Sequence, residues 1–392
     1  MAEASGGIIR DFGVTPTQCG YLVSYQLLLL GIGNLFWVPL SLKIGKRPVC
    51  VVSSALFFAT SIWSAVAKSY GSLLASRIVG GFAASVVEVI GPAVDRLFTL
   101  THRFMIGGGS ALGGVFAGLV IHGTDNWRWI FWMCTILTGV CFLFLTLFYQ
   151  ETNFIRPAEA EGGDKAIVDQ ASFRSPYSLR QALTLFAWYD RSTSIWVYFF
   201  RPLPLLLYPA VLWATVCYGV VLGWVVFQIS SNAVLFAEIY NFSPFGIGNL
   251  YIANVVGAFV GCLYSGPFND WFCATITKRK TGMFQPEYRL YLMIPLFFLG
   301  PVGLLMWGVG LQNRVSWAVP AVGSGISYAV LCMNPNISLT YIIDGYRPVA
   351  GEAFTSLTAA KNAVAFGLSF AVFPWINRSG LAHVGAPLGG VV

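Results

Sequence analysis

Charge is what this chain has least of. Only 10% of its 392 residues are Asp, Glu, Lys or Arg, against about 25% in soluble domains, which excludes a water-soluble globular domain. Histidine is nearly absent: the three residues His102, His122 and His383 are too few and too scattered for a metal constellation, and no metal is expected. The 8 cysteines include no CxxC pair and fall mostly inside apolar runs, which argues for small buried hydrophobes and against a disulfide framework. Residues 1–18 contain no apolar span, and no charged start leads into an apolar core, so a secretory signal is not expected. No nucleophile–base cluster suggests an enzyme, and no ring-forming filter motif suggests a channel.

What fills the chain instead is apolar: 56% hydrophobic residues and a mean hydropathy of +0.70. The expectation is an all-α, polytopic membrane protein. A bilayer crossing needs about 20 mostly apolar residues, and runs of that kind lie at 20–42, 48–67, 72–98, 104–122, 127–150, 205–230, 246–268, 290–311, 316–341 and 353–376. The fourth, FMIGGGSALGGVFAGLVIH, is short and glycine-rich. The formal net charge of +7 does not point to nucleic acid, because the basic residues sit between the runs, where they set topology. With the 43–47 loop in the cytoplasm, sixteen of the 23 Lys and Arg residues fall on that side and five on the other, Arg77 and Lys361 lying within runs. Both ends of the chain then face away from the cytoplasm. The polar stretch 151–204 divides the runs five and five, so the expected organisation is a helical bundle over 1–150, a cytoplasmic linker over 151–204 and a second bundle over 205–392. The echo between GIGNLF (31–36) and GIGNLY (246–251) is taken as chance, because the basic loops that should follow stand at different offsets.

The stretch LASRIVGGFAASVVEVIGP (74–92) is long enough to cross a bilayer yet carries Arg77 and Glu88. Insertion scales charge at least about 2.5 kcal/mol for each such group at membrane depth, so both should face a bundle interior or an aqueous path. Eleven residues is about three helical turns, which puts them on one face but roughly 16 Å apart, too far to pair. Each needs its own partner on another helix. Arg77 is expected to be a coupling or gating charge rather than a snorkelling one, and Glu88 a proton-carrying carboxylate rather than a packing partner. Lys361, about two turns into the last run, is explained by snorkelling to the cytoplasmic face. Gly108, Gly109, Gly113, Gly114 and Gly118, with Gly219, Gly223, Gly257 and Gly261, read as close-packing positions between helices. Gln26, Asn34, Gln228, Asn249, Asn254, Asn334, Asn336 and Asn362 are in-span polar residues that could line a cavity. Trp224, Tyr218 and Tyr251 are core or belt residues, and Asn241 and Asn377 begin N-x-S sequons.

Three stretches together resemble one family. LASRIVGGFAA (74–84) resembles the fourth-helix motif LxxxRxxQGxGAA of drug:proton antiporter-type members of the major facilitator superfamily, with Arg77, Gly81 and Ala84 matching and Gly80 where Gln is usual. LKIGKRPVCV (42–51) resembles the loop motif D-R-x-G-R-R, with Lys43, Gly45, Lys46 and Arg47 matching and Leu42 in the acidic place. GPFND (266–270) is similar to its second-half counterpart and keeps Asp270. GGGSALGGVFAGLV, WRWIFW, QETNF and DGYRPVAGEAF strengthen a likeness to the branch common in filamentous fungi, over about 12 to 378.

The resemblance implies two bundles enclosing one site near the midplane, carrying a small organic or drug-like solute, with proton-coupled export by alternating access. Arg77 and Glu88 would couple or gate; Lys43, Gly45, Lys46, Arg47 and Asp270 would latch the cytoplasmic side. It implies no cofactor beyond the proton gradient, with substrate, protons and lipid as partners, and a monomer. The plasma membrane is the expected location, with the vacuolar membrane as alternative. Against the family's twelve helices, the first and last are expected to be absent here and the start of the fifth shortened, which would loosen both bundles. The competing readings are a non-transporting, truncated paralogue and a proton-coupled uptake carrier.

Overall fold

The computed structural model describes residues 4–94, 99–124, 126–149, 194–280, 282, 284–345 and 350–379. Among them the secondary structure is helical throughout. Ten long helices follow the ten apolar runs in order: α2 (Pro16–Ile44), α3 (Lys46–Val66), α4 (Tyr70–Val94), α5 (Thr99–Thr124), α6 (Arg128–Phe148), α9 (Pro209–Tyr240), α10 (Pro244–Leu263), α12 (Ile294–Gln312), α13 (Ala318–Gly345) and α14 (Ala350–Ser379). Short helices α1 (Ser5–Phe12), α7 (Ile195–Phe200), α8 (Pro202–Leu205) and α11 (Asn269–Lys280) complete the set. Eight helices among the described residues are long and apolar enough to cross a membrane; α5 and α14 are the further two of the ten. Most of the predicted linker, up to residue 193, lies outside the described residues.

Local chemistry accounts for the helix ends. Thr15 and Gln18 form a reciprocal capping box at the start of α2, with Pro16 in the first turn, so two orphan donors are satisfied at once. Gly45 joins α2 to α3 at φ 104°, ψ 155°, a conformation that side chains disfavour. The predicted run 205–230 is helical on to Tyr240, where left-handed Asn241 stops it. Ser243 caps α10, which continues into α11 through a π-turn at Tyr264–Phe268 containing Pro267. Proline lacks the N–H that a regular turn would use there.

Helix α2 packs along α4, and α3 along α4 and α6; α13 packs along α10, α12 and α9, while α9 packs along α14. Two seams connect the early helices with the late ones, α2 against α14 and α5 against α10. The most extensive packing of α5 is with α10 rather than with its own sequence neighbours. Before α2 lies α1, and its Ile8, with Ala4 just ahead of it, is fully buried against Leu22, Trp127 and Phe131. Asp11 anchors that helix by accepting from the Trp127 indole at 2.9 Å and pairing with Arg128 at 3.2 Å. On α6, by contrast, Ile136, Leu143, Leu147 and Phe148 are each about 60% exposed, the surface expected to meet lipid.

Candidate functional site

The α2–α4 seam is built from small residues. A Cβ at Gly81 would run into the Gln26 backbone, and one at Gly33 into Phe82 and Ser85, so the two helices approach as closely as backbones allow. The Trp37 indole donates across the seam to the Phe82 carbonyl at 2.9 Å. This register sets Asn34 beside Glu88. From the other side, Gly31 lies against the Ala359 carbonyl and the Asn362 side chain, which brings α14 onto the same spot.

The result is a polar cluster drawn from four helices. Glu88 accepts from Lys361 Nζ at 3.0 Å, and its other oxygen accepts from the side-chain amides of Asn34 and Asn362, each at 3.1 Å. Lys361 Nζ also donates to Asn362 Oδ1 at 3.1 Å and lies 4.6 Å from the centroid of the Tyr218 ring on α9. Asn34 and Asn362 are fully buried, and Lys361 is 2% exposed. The Glu88 side chain retains 29% exposure, against 2% for Lys361. The ammonium is dry and spent entirely on Glu88, Asn362 and an aromatic face. A buried ion pair of this kind is weak evidence for stability, because desolvation offsets attraction. It does join helices 273 residues apart in sequence.

Lys361 is therefore corrected: it does not snorkel. Tyr218, read as core or belt, supplies the ring over its ammonium. The signal was present as a Lys–Asn pair at mid-run, but neighbouring residues on a helix project about 100° apart. Only the position of Glu88 between them makes both useful.

Arg77 belongs to a separate site. It donates to the Gln26 side-chain oxygen and stands 5.9 Å from the Phe131 ring centroid. Its Nε is buried without a hydrogen-bond partner. Arg77 and Glu88 are thus served by different partners, as their helical separation demands.

The proposed cytoplasmic latch divides in two. Arg47, 4% exposed, donates to the Thr146 carbonyl on α6 at 2.9 Å, following the Gly45 turn that also carries Lys43 and Lys46. Asp270 instead pairs with Arg289 at 3.1 Å, and Arg289 pairs with Asp344 at 3.0 Å. Asp270 is held by its own half of the chain, because the 3₁₀ segment Pro286–Met293 brings Arg289 within reach.

Of the fifth-helix glycines, Gly114 packs on the Tyr251 ring and Gly118 on Gly248, backbone to backbone. A Cβ on Gly108 would first meet Phe104 of its own helix, and one on Gly109 or Gly113 would meet nothing among the described residues. Gly109 and Gly113 are therefore corrected: they face away from the seam, about 100° per residue from the packing stripe. Gly219 and Gly223 pack on α14, and Gly257 and Gly261 on α13. Among the in-span polar residues, Asn249 is exposed on α10. Gln228 donates to Ser327, Asn254 accepts from Ser324, Asn334 donates to the Cys217 carbonyl and Asn336 to Ser265, all within the second half.

Comparison with known proteins gives this geometry a context. A family model described as Major Facilitator Superfamily matches residues 4–374. The MFS transporter cpaT of Aspergillus oryzae is 29% identical over 374 residues, covering 93% of this chain and 74% of that protein. The efflux pump radE of Floropilus chiversii is 27% identical over 385 residues, covering 93% and 68%. Among solved structures, the human organic anion transporter MFSD10 (TETRAN) aligns with a TM-score of 0.58 at 17% identity, covering 95% of this chain and 81% of that one. The partially occluded inward-open xylose transporter XylE from E. coli aligns at 0.62 and 13%, covering 100% and 90%.

Proposed function

The chain belongs to the Major Facilitator Superfamily, a multi-pass membrane transporter family, and on that premise we propose that it exports a small organic solute across the plasma membrane in exchange for protons. The observation that carries the proposal is the Glu88–Lys361 pair, which ties α4 to α14 across the α2/α14 seam while leaving the carboxylate side chain 29% exposed. In alternating access, two groups of helices rock about a fixed midplane site; here they would be those before and after the linker. With Glu88 ionised, its attraction to Lys361 holds the Gly45-side ends of these groups together. That is the side the Lys and Arg distribution places in the cytoplasm. A proton on Glu88 removes the charge but keeps the carboxyl's hydrogen-bonding capacity, so Lys361 loses its counter-ion and the seam loosens toward the cytoplasm. Loss of the proton to the cytoplasm restores the pair and closes that face behind a loaded solute. One proton enters for each turnover outward, and the efflux-pump name of a relative supports that direction.

The test is flux in proteoliposomes under an imposed proton gradient, with a panel of drug-like dyes as solutes. Glu88→Gln keeps size and hydrogen bonding but cannot exchange a proton. Gradient-driven flux is expected to vanish while solute exchange without a gradient persists. Wild-type pH dependence in Glu88→Gln would overturn the assignment.

A further inference from the structure

Arg77 is the charge that the coupling pair does not use. The other described cations that face carboxylates are matched: Lys361 with Glu88, Arg128 with Asp11, Arg201 with Glu352, and Arg289 with Asp270 and Asp344. Arg77 has only a neutral partner, Gln26, and its buried Nε has none. It lies seven residues into α4, roughly 10 Å from the Tyr70 end, and points inward to Gln26 on α2 and Phe131 on α6 rather than up to the interface. Its side chain keeps partial exposure. Glu88, the carboxylate nearest to it on the same helix face, is about 16 Å away along the axis and is already engaged by Lys361, Asn34 and Asn362. Arg77, Glu88 and Lys361 together therefore sum to one positive charge.

A cation at membrane depth without a counter-ion is strongly unfavourable unless something anionic visits it. A guanidinium presents a planar fork that fits a carboxylate or other oxyanion through two parallel hydrogen bonds. The unused Nε–H is one prong of that fork, and the Phe131 ring provides an apolar face beside it. We propose that Arg77 is the charge-recognition point for a small organic anion, an aryl or alkyl carboxylate or an equivalent oxyanion, as the transported solute. This deepens the transport reading above and rests on it, but not on its proton-coupling step.

The experiment is equilibrium dialysis of the purified full chain in a nonionic detergent, without a gradient, against three matched probes: 1-naphthoate, its neutral amide, and the naphthylmethylammonium cation. Naphthoate is expected to bind at least tenfold more tightly than either of the others. Arg77→Gln should erase the preference, whereas Arg77→Lys, which keeps the charge but not the fork, should retain part of it and serves if the Gln variant does not fold. Gly113→Ala, whose added Cβ has open space, should leave the preference in place. Naphthoate bound no better than its amide, or not at all, overturns the inference, as does an unchanged preference in Arg77→Gln. A carboxylate side chain of another membrane helix seated on Arg77 would give the same negative result. The two proposals fail separately: naphthoate preference without gradient-driven flux removes the coupling step alone, and gradient-driven flux of a cationic dye without naphthoate preference removes the anion site alone.

Discussion

Replacing the two halves of the Glu88–Lys361 pair should be strikingly unequal in effect, and the inequality can be worked from the surroundings. Glu88→Gln leaves the Lys361 ammonium at 2% exposure with no charge to balance it. Stranding a buried charge costs about 3–5 kcal/mol, and the surviving amide oxygen and the Tyr218 ring bring the expected loss to about 3 kcal/mol. Lys361→Met strands the carboxylate instead. That group keeps two amide donors and 29% exposure, so its loss should be about 1–2 kcal/mol, in the range of one broken charged hydrogen bond. The double variant strands nothing. Exchanging a buried ion pair for uncharged groups of similar volume is often neutral or stabilising, so the double variant should fall within about 1 kcal/mol of the parent, with a coupling energy of about 4–5 kcal/mol. The assay is a double-mutant cycle read by thermal or denaturant unfolding in detergent. Effects that add, or a Lys361→Met loss larger than that of Glu88→Gln, would refute the claim that these groups form one dry pair with its wet end at Glu88.

Other positions give sharper contrasts between neighbours. A Cβ on Gly118 would lie 2.7 Å from the Gly248 Cα, so Gly118→Ala should destabilise by about 1–3 kcal/mol, whereas Gly113→Ala, with nothing to strike, should be neutral or gain about 0.5–1 kcal/mol; unfolding midpoints of the two variants check it. Asp344 is 21% exposed and Asp270 70%, so Asp344→Asn should lower stability by about 1–2 kcal/mol and Asp270→Asn by under about 1 kcal/mol, and raised salt should erase only the second difference. An epitope tag in 151–204 should be reached by antibody only after cells are permeabilised, and one at residue 2 without it; labelling of the first in intact cells would invert the orientation.

The helices were legible because apolar run length is a local property of sequence, and each of the ten runs did fold as one long helix. Their ends were less so: nothing in 205–230 announces that the helix continues to Tyr240, since an αL stop at Asn241 is a single-residue signal. The site was half legible. A charge at membrane depth declares itself, so Arg77 and Glu88 stood out, but a partner declares itself only in three dimensions. Lys361 looked like a snorkelling lysine because its distance from the run's end permits that, and what overrides it is a carboxylate from a helix 273 residues away. The glycines show the same limit at finer grain. Composition marks the whole stretch 107–118 as small, yet only the stripe that includes Gly114 and Gly118 meets α10, and the phase of that stripe depends on how α5 is rotated against its neighbour. The partner of Asp270 was not legible for a different reason: a motif groups residues by sequence likeness, whereas a salt bridge goes to whichever cation the intervening turn delivers, here Arg289.

The two seams differ in what it takes to open them, and the difference assigns them different tasks. Along α5 and α10 the contact is Gly118 on Gly248 and Gly114 on Tyr251; it is close, and these four residues carry no charge. Separating it would expose backbone and forfeit dispersion contacts, but small residues offer little resistance to sliding. Along α2 and α14 the outer end is an aromatic lattice, with Tyr21 stacked on Phe370 at 4.7 Å and Tyr25 against Phe366 at 5.9 Å, joined by the Ser24–Ser369 hydrogen bond at 2.9 Å. Its inner end is the Glu88 cluster. A ligand or proton moves a two-state equilibrium only by its differential free energy for the two states. If the pair contributes about 3 kcal/mol to the closed form, neutralising Glu88 changes the closed-to-open ratio by roughly 150-fold, at 1.4 kcal/mol for each factor of ten. That suffices to convert a latch closed more than nine-tenths of the time into one mostly open, without touching the α5/α10 seam. In the proposed cycle Glu88 would therefore sit on the seam that must break, and the glycines on the one that must only pivot.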